Sequence, residues 1–179
     1  MNCAVFASGG GSNFQALLDH HKAGDLHVDF VLLVGNNSTA LAFERARRNG
    51  IDTLHISPSH FRTEKEYTGK LLSALRSHDV ELLVLAGYMK KLPRGVIDAF
   101  RHRILNIHPA LLPAFGGKGM YGAGVHRAVI DSGVKLTGVT VHFADEEYDR
   151  GPIILQEPVR VYDNDTEETL AARVLEIEH

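Results

Sequence analysis

The sequence predicts an α/β fold, a doubly wound and mostly parallel sheet with helices on both faces. Three observations predict it. Short apolar runs alternate with longer amphipathic stretches, the pattern of βαβ units. A glycine-rich turn, Ser8-Gly9-Gly10-Gly11-Ser12-Asn13, joins the first apolar run to the first amphipathic stretch. After Ile107 the chain changes to a long turn-rich segment and then to two strand-like runs around an acidic loop. Antiparallel strands are expected in this C-terminal part of an otherwise Rossmann-like sheet.

Residues 2–7, 28–35, 53–56, 82–86 and 104–107 read as buried strands, being short, apolar and bounded by polar residues or glycine. Residues 13–22, 40–48, 64–77 and 94–100 read as the helices between them. In the third helix Tyr67, Leu71, Leu72 and Leu75 fall on one face at helical spacing. Residues 108–124 carry two prolines and five glycines, and loops of that length are often functional. A helix over 125–132 follows, then strands over 138–144 and 152–161. Asp165-Thr166-Glu167-Glu168 resembles a helix start, with Glu168 placed to reach back to the cap, and that helix runs to His179 without an obvious C-cap. There is no repeat, low-complexity tract or linker, so residues 1–179 read as a single domain.

A domain of 179 residues buries roughly 68–75% of the surface of its unfolded chain, so folding should need neither disulfides nor a structural metal. Nineteen Lys and Arg against 22 Asp and Glu give a net charge of −3. That balance argues against a broad nucleic-acid surface and leaves room for a local basic patch on a phosphorylated metabolite. The one cysteine, Cys3, sits in an apolar run and reads as a buried strand residue in a reducing compartment. No basic segment precedes that run and no stretch approaches the ~20 apolar residues of a membrane span, so a cytoplasmic protein with no membrane partner is expected. Eleven histidines invite a metal reading, but His20 and His21 diverge on a helix, His102 and His108 lack ligand spacing, and no C-x-x-C is present. No metal is expected.

Three segments carry candidate chemistry. The glycine run opens a helix, where exposed amides favour an anion, and Ser12 or Asn13 could cap that helix. It is neither G-x-G-x-x-G nor a Walker A loop, and a plain glycine turn is the alternative. In Asn106-Ile107-His108-Pro109 the polar pair lies two residues apart on an extended segment, so both side chains point to one side and Ile107 to the core. The pair ends a strand at the carboxyl edge, where open α/β sheets bind ligands. A carboxamide beside an imidazole suits carbonyl addition, the amide facing a developing oxyanion and the imidazole moving protons; a polar strand end satisfied by backbone is the alternative. The acidic loop Asp145–Pro152 reads either as a solvated face or as the source of a carboxylate near His108, where an anion would favour the protonated ring.

Asn106-Ile107-His108-Pro109-Ala110-Leu111-Leu112-Pro113 resembles the signature of the folate-dependent formyltransferases, in the branch that formylates glycinamide ribonucleotide. The glycine run, Leu85-Ala86-Gly87-Tyr88-Met89, Gly138-Val139-Thr140-Val141-His142-Phe143 and Asp149-Arg150-Gly151-Pro152-Ile153-Ile154-Leu155-Gln156 extend the resemblance over essentially the whole chain. It implies formyl transfer from 10-formyltetrahydrofolate, as co-substrate, to the amine of glycinamide ribonucleotide in purine biosynthesis. Asn106, His108 and Asp149 would be catalytic. Gly11, Ser12 and Asn13 would hold the substrate phosphate. Met89, Lys90, Lys91 and Leu92, with Asn106, would line the folate pocket. Thr140 and His142 would order the site from the neighbouring strand, and Glu178 would contact the ribose. Partners would be small molecules, with no nucleic acid, and the protein a monomer or homodimer.

Three features depart from the family pattern. The segment Phe115-Gly116-Gly117-Lys118-Gly119-Met120-Tyr121-Gly122 is longer than in many members and reads as a variant lid. Glu64 stands where the family often has a folate-site arginine, which leaves Arg62 or Lys65 as substitutes. Relatives also continue beyond the position of His179. The nearest rival is a formyltetrahydrofolate hydrolase, which has an H-H-S-F-L-P motif and an added N-terminal domain. Methionyl-tRNA formyltransferase adds a C-terminal domain. A dinucleotide-binding dehydrogenase lacks support, because Gly35-Asn36-Asn37 stands where a ribose-binding acid belongs. A non-catalytic phosphoribosyl- or folate-binding module is the remaining alternative.

Overall fold

A computed structural model describes all 179 residues. The elements run β1 (Asn2–Ala7), α1 (Ser12–Ala23), β2 (Asp29–Gly35), α2 (Ala42–Arg48), β3 (Asp52–His55), α3 (Glu64–Ser77), β4 (Leu82–Leu85), α4 (Arg94–Ala99), β5 (Ile104–His108), α5 (Ala123–Asp131), β6 (Leu136–Phe143), β7 (Ile153–Arg160) and α6 (Glu167–Glu178). The strands form one seven-stranded sheet of order β3-β2-β1-β4-β5-β6-β7. Every expected strand and helix is present, with bounds displaced by two residues at most. Chain packing divides the molecule inside β5 into two units, Met1–Ile104 and Leu105–His179.

The first unit is parallel: β1 pairs with β2 and with β4, and β2 with β3. Its core joins Val5, Ala7, Phe14, Leu18, Leu33, Phe43 and Ala46, all buried, which is why β1 reads as a continuous apolar run rather than an alternating one. Cys3 belongs to this cluster, and burial pushes its thiol up to about 12, as a structural cysteine requires. Helix α3 buries Tyr67, Leu71 and Leu75 on the expected face, and Thr63 caps it by accepting the Glu66 N–H at 3.2 Å.

The first helix is capped differently from expectation. Gly11, not Ser12 or Asn13, is its N-cap, with φ +70° and no side-chain cap. The left-handed conformation favours glycine, and there is no room for anything else: a Cβ on Gly11 would lie 2.8 Å from Ala42 Cβ. Helix α2 pins this turn, since the Ala42 N–H donates to the Gly9 carbonyl at 3.2 Å and Arg45 Nε to the Gly10 carbonyl at 2.9 Å.

The second unit is antiparallel: β6 pairs with β5 and with β7. Buried Val125 and Val129 of α5 and Leu170 and Val174 of α6 join Val139 and Val159 in one core. Helix α6 starts one residue later than the sequence suggested. Thr166 is the cap and Thr169 closes the capping box, so Glu168 does not fill that role. Asp165 is instead drawn into a bidentate pair with Arg173, at 2.7 and 2.8 Å. No helix is long and apolar enough to cross a membrane.

Candidate active site

The register of β5 against β6 sets Asn106 opposite His142 and His108 opposite Thr140. The Asn106 amide donates to His142 Nε2 at 2.9 Å and, over a longer 3.4 Å, to Asp149 Oδ1. The His142 Nδ1–H is held by the Phe143 carbonyl at 2.9 Å, so its Nε2 is the bare acceptor that Asn106 needs. His108 Nδ1 lies 3.7 Å from Asp149 Oδ2, and His142 Nε2 lies 3.7 Å from Asp149 Oδ1. One carboxylate thus faces Asn106, His108 and His142 together. Strand spacing singled out Asn106 and His108, the family resemblance added His142, and the acidic loop contributes only Asp149 to the cluster.

Thr140, the cross-strand partner of His108, supports the group without a side-chain hydrogen bond to any of its four members. Its buried hydroxyl donates to the Ala110 carbonyl at 2.6 Å and accepts the Leu112 N–H and Gln156 Nε2–H, each at 3.0 Å. The chain leaving β5 is thereby tied to β6 immediately after the Asn106–His108 pair.

The electrostatics differ from the sequence expectation at one point. Burial pulls the His108 imidazole below its ordinary value, and the opposing Asp149 carboxylate and Phe115 carbonyl do not make up the difference. An anion beside the ring was expected to favour the protonated form, but a ring only 3% exposed loses more hydration than the carboxylate returns. The resting ring is therefore neutral near pH 7. Burial also acts against the Asp149 carboxylate, yet His142, the Gly117 N–H and His108 outweigh it and hold Asp149 below the usual range.

Two groups in this cluster escaped the sequence reading. The Phe115 carbonyl accepts from His108 Nε2 at 2.8 Å, and the Gly117 N–H donates to Asp149 Oδ2 at 2.9 Å. Both are main-chain groups, invisible in residue identity. The one available signal was the Gly116-Gly117 pair: a Cβ on Gly116 would meet Leu112 Cδ2 at 2.5 Å and Asp149 Cβ at 3.1 Å.

The first unit holds the other candidates. Gly11, Ser12 and Asn13 sit at the start of α1, whose first amides have no partner within the helix. Met89 is exposed, as are Lys90 and Lys91, whereas Leu92 is buried. The Met89 N–H donates to Ser8 Oγ at 2.8 Å, and Ser8 in turn donates to Asn36 Oδ1 at 2.5 Å. Ser8 therefore ties the segment after β4 to the ends of β1 and β2, a role the sequence did not suggest. Arg62 and Lys65 are exposed around the start of α3, with Glu64 as its first residue. In the second unit, Glu178 is half-buried at the last residue of α6. No group of three or more His, Cys, Asp or Glu side chains is placed to hold a metal ion.

Comparison with known proteins accords with this geometry. The family model described as formyl transferase matches residues 1–179. A chloroplastic phosphoribosylglycinamide formyltransferase of Arabidopsis thaliana is 49% identical over 98% of this chain, which spans 61% of that protein's length. The phosphoribosylglycinamide formyltransferase of Bacillus subtilis is 38% identical over 98% of this chain and 88% of its own. The crystal structure of phosphoribosylglycinamide formyltransferase from Bacillus halodurans superposes with a TM-score of 0.93 at 36% identity, covering 99% of this chain and 89% of that one. Three polar side chains around one carboxylate, on a sheet shared with these proteins, leave one conclusion: the chain belongs to the formyl transferase family.

Proposed function

We propose that this chain transfers the formyl group of 10-formyltetrahydrofolate to the amino group of glycinamide ribonucleotide, in purine biosynthesis, and that residues 1–179 act as one formyltransferase domain. The observation that carries the proposal is the convergence of Asn106, His108 and His142 on the Asp149 carboxylate.

The chemistry follows from that geometry. Attack of an amine on a formyl carbon builds negative charge on its oxygen, and the stabilising group is a donor aimed at that oxygen. Asn106 has one amide hydrogen fixed on His142 and one held weakly by Asp149 at 3.4 Å, so the second, its direction set by the first, is the hydrogen available to the oxyanion. A neutral His108 takes the proton lost by the amine. As imidazolium it is then stabilised by Asp149, and it returns the proton to folate N10 as tetrahydrofolate leaves. No serine or cysteine nucleophile enters. Gly11, Ser12 and Asn13 would receive the substrate phosphate on the α1 amides. Met89 to Leu92 would meet the folate, partly through main chain, with Arg62 or Lys65 supplying a basic group and Glu178 reaching the ribose.

The test is absorbance-monitored deformylation of a 10-formyl folate with and without glycinamide ribonucleotide. Turnover that requires the ribonucleotide and disappears in His108→Ala supports the transferase. Turnover without it supports the hydrolase, and none in either case supports a binding module.

A further inference from the structure

His108 is buried with both ring nitrogens facing fixed groups, and the two edges of the ring differ in kind. On one edge Nε2 meets the Phe115 carbonyl at 2.8 Å, an acceptor with no proton to give. Such a bond forms only if Nε2 carries the hydrogen. On the other edge Nδ1 faces Asp149 Oδ2 at 3.7 Å. In the neutral ring Nδ1 is then a bare lone pair pointed at a carboxylate, and it is the one position where a proton can be added.

The Phe115–Gly117 turn is built to keep this arrangement. Phe115 adopts φ +55°, rare for a residue with a side chain, and this strain orients its carbonyl toward the ring. The Gly117 N–H holds Asp149 Oδ2, the same oxygen that faces Nδ1. A Cβ on Gly116 between them would press on Leu112 Cδ2 at 2.5 Å and on Asp149 Cβ at 3.1 Å, so a side chain there must shift Leu112 or the carboxylate. One three-residue turn therefore grips the histidine by its Nε2 and the carboxylate by its Oδ2.

We propose that the Phe115–Gly117 turn is a positioning element that fixes His108 as the Nε2–H tautomer, so that Nδ1, on the edge shared with Asp149, is the nitrogen that takes up and returns the catalytic proton. The catalytic part rests on the formyl-transfer reading above; the tautomer does not. The balance is simple. The substrate amine's N–H bond breaks and an Nδ1–H bond forms on His108, then the Nδ1–H bond breaks and the proton goes to the leaving folate nitrogen. Nε2 keeps its hydrogen throughout. Other titratable groups act on the ring from their own elements: His142 on β6, His126 on α5 and Asp149 on the loop before β7.

The test uses the full chain labelled with 15N-histidine and two-bond 1H–15N correlation. At neutral pH the His108 ring is expected to show a protonated Nε2 and a bare Nδ1, and on acidification only the Nδ1 resonance should move to the protonated range. A neutral ring protonated at Nδ1 would overturn the proposal. Gly116→Ala should displace the turn, remove the single-tautomer signature and lower kcat more than tenfold, with KM for both substrates changed less than threefold. Lys70→Ala, exposed on α3, should match the parent in both readouts. A Gly116→Ala protein that keeps the tautomer and full kcat would also overturn it, and if that variant does not fold, the parent spectrum alone decides. The Nε2–H tautomer with no formyl transfer would sink the functional reading and leave the tautomer standing.

Discussion

His142 Nε2 accepts the Asn106 amide across 2.9 Å, while the opposite ring nitrogen is held by the Phe143 carbonyl at the same distance. Each bond requires the other: only a ring with hydrogen on Nδ1 offers a bare Nε2, and only a bare Nε2 orients the amide nitrogen of Asn106 toward Asp149.

Two substitutions separate these contributions. Asn106→Ala removes the oxyanion donor, a loss worth about 3–4 kcal/mol where such donors have been deleted, so kcat should fall by about a hundredfold or more. His142→Leu keeps the amide but frees its orientation, at the cost of one hydrogen bond of ~1 kcal/mol. A roughly tenfold fall in kcat with unchanged KM is expected. Steady-state kinetics with both substrates check this, and equal losses in the two variants would show that His142 does more than orient Asn106.

The pH dependence follows from two lowered pKa values. His108 titrates below its ordinary value of 6.5, so the acid limb of kcat/KM should lie below 6.5. Asp149 pulls that value upward, against burial. Asp149→Asn removes the pull, so the limb should move to still lower pH as the maximal rate drops. A limb that moves upward in Asp149→Asn would contradict the coupling. For stability the sign is the same for both groups. Native Asp149 resists protonation, so its contribution is present above the ordinary carboxyl value of 3.8 and lost as pH falls through its lower native value.

Much of this was legible in the chain, for identifiable reasons. Asn106 and His108 announced themselves because period-two alternation places both on one side of a strand, and β5 obeys it. The strands of the first unit were legible because burial on both faces leaves no polar residue in runs such as Cys3-Ala4-Val5-Phe6-Ala7. The Phe115 carbonyl and Gly117 N–H were not legible, since a main-chain contact depends on φ and ψ rather than on residue type. The neutral state of His108 was missed because sequence shows the charge beside a ring and not the water removed from it. The α1 cap was misread because Ser and Asn are the better side-chain caps, and nothing in the local sequence reveals that Ala42 closes the space beside Gly11.

Gly11 is accordingly a sharp test of the glycine turn. A side chain there faces both a left-handed backbone and an Ala42 Cβ at 2.8 Å and Cα at 3.0 Å, the latter on a helix that cannot yield cheaply. Gly11→Ala should destabilise the fold by about 2–4 kcal/mol, from the conformational and overpacking costs together. Variants that survive should raise KM for the ribonucleotide more than KM for the folate. Chemical denaturation and the two KM values check this; a Gly11→Ala protein of parental stability would contradict the packing seen around α1.

His126 carries the last expectation. It lies on α5, 7% exposed, and its Nδ1 is buried with no hydrogen-bond partner. Burial lowers its pKa, Glu167 opposes that without reversing it, and His108 adds to the lowering. The sign is then fixed: above 6.5 both folded and unfolded chains carry a neutral ring, and below it the unfolded chain takes a proton that the native ring resists. Stability should therefore fall as pH drops from 7.5 toward 5, and His126→Leu should fall less steeply because it removes one such group. His108 titrates in the same sense, so the variant should flatten the slope without abolishing it. Thermal melts of parent and variant at several pH values measure the two slopes. Parallel slopes would mean that α5 opens to hydrate the protonated ring, and His126 would then carry no cost of burial.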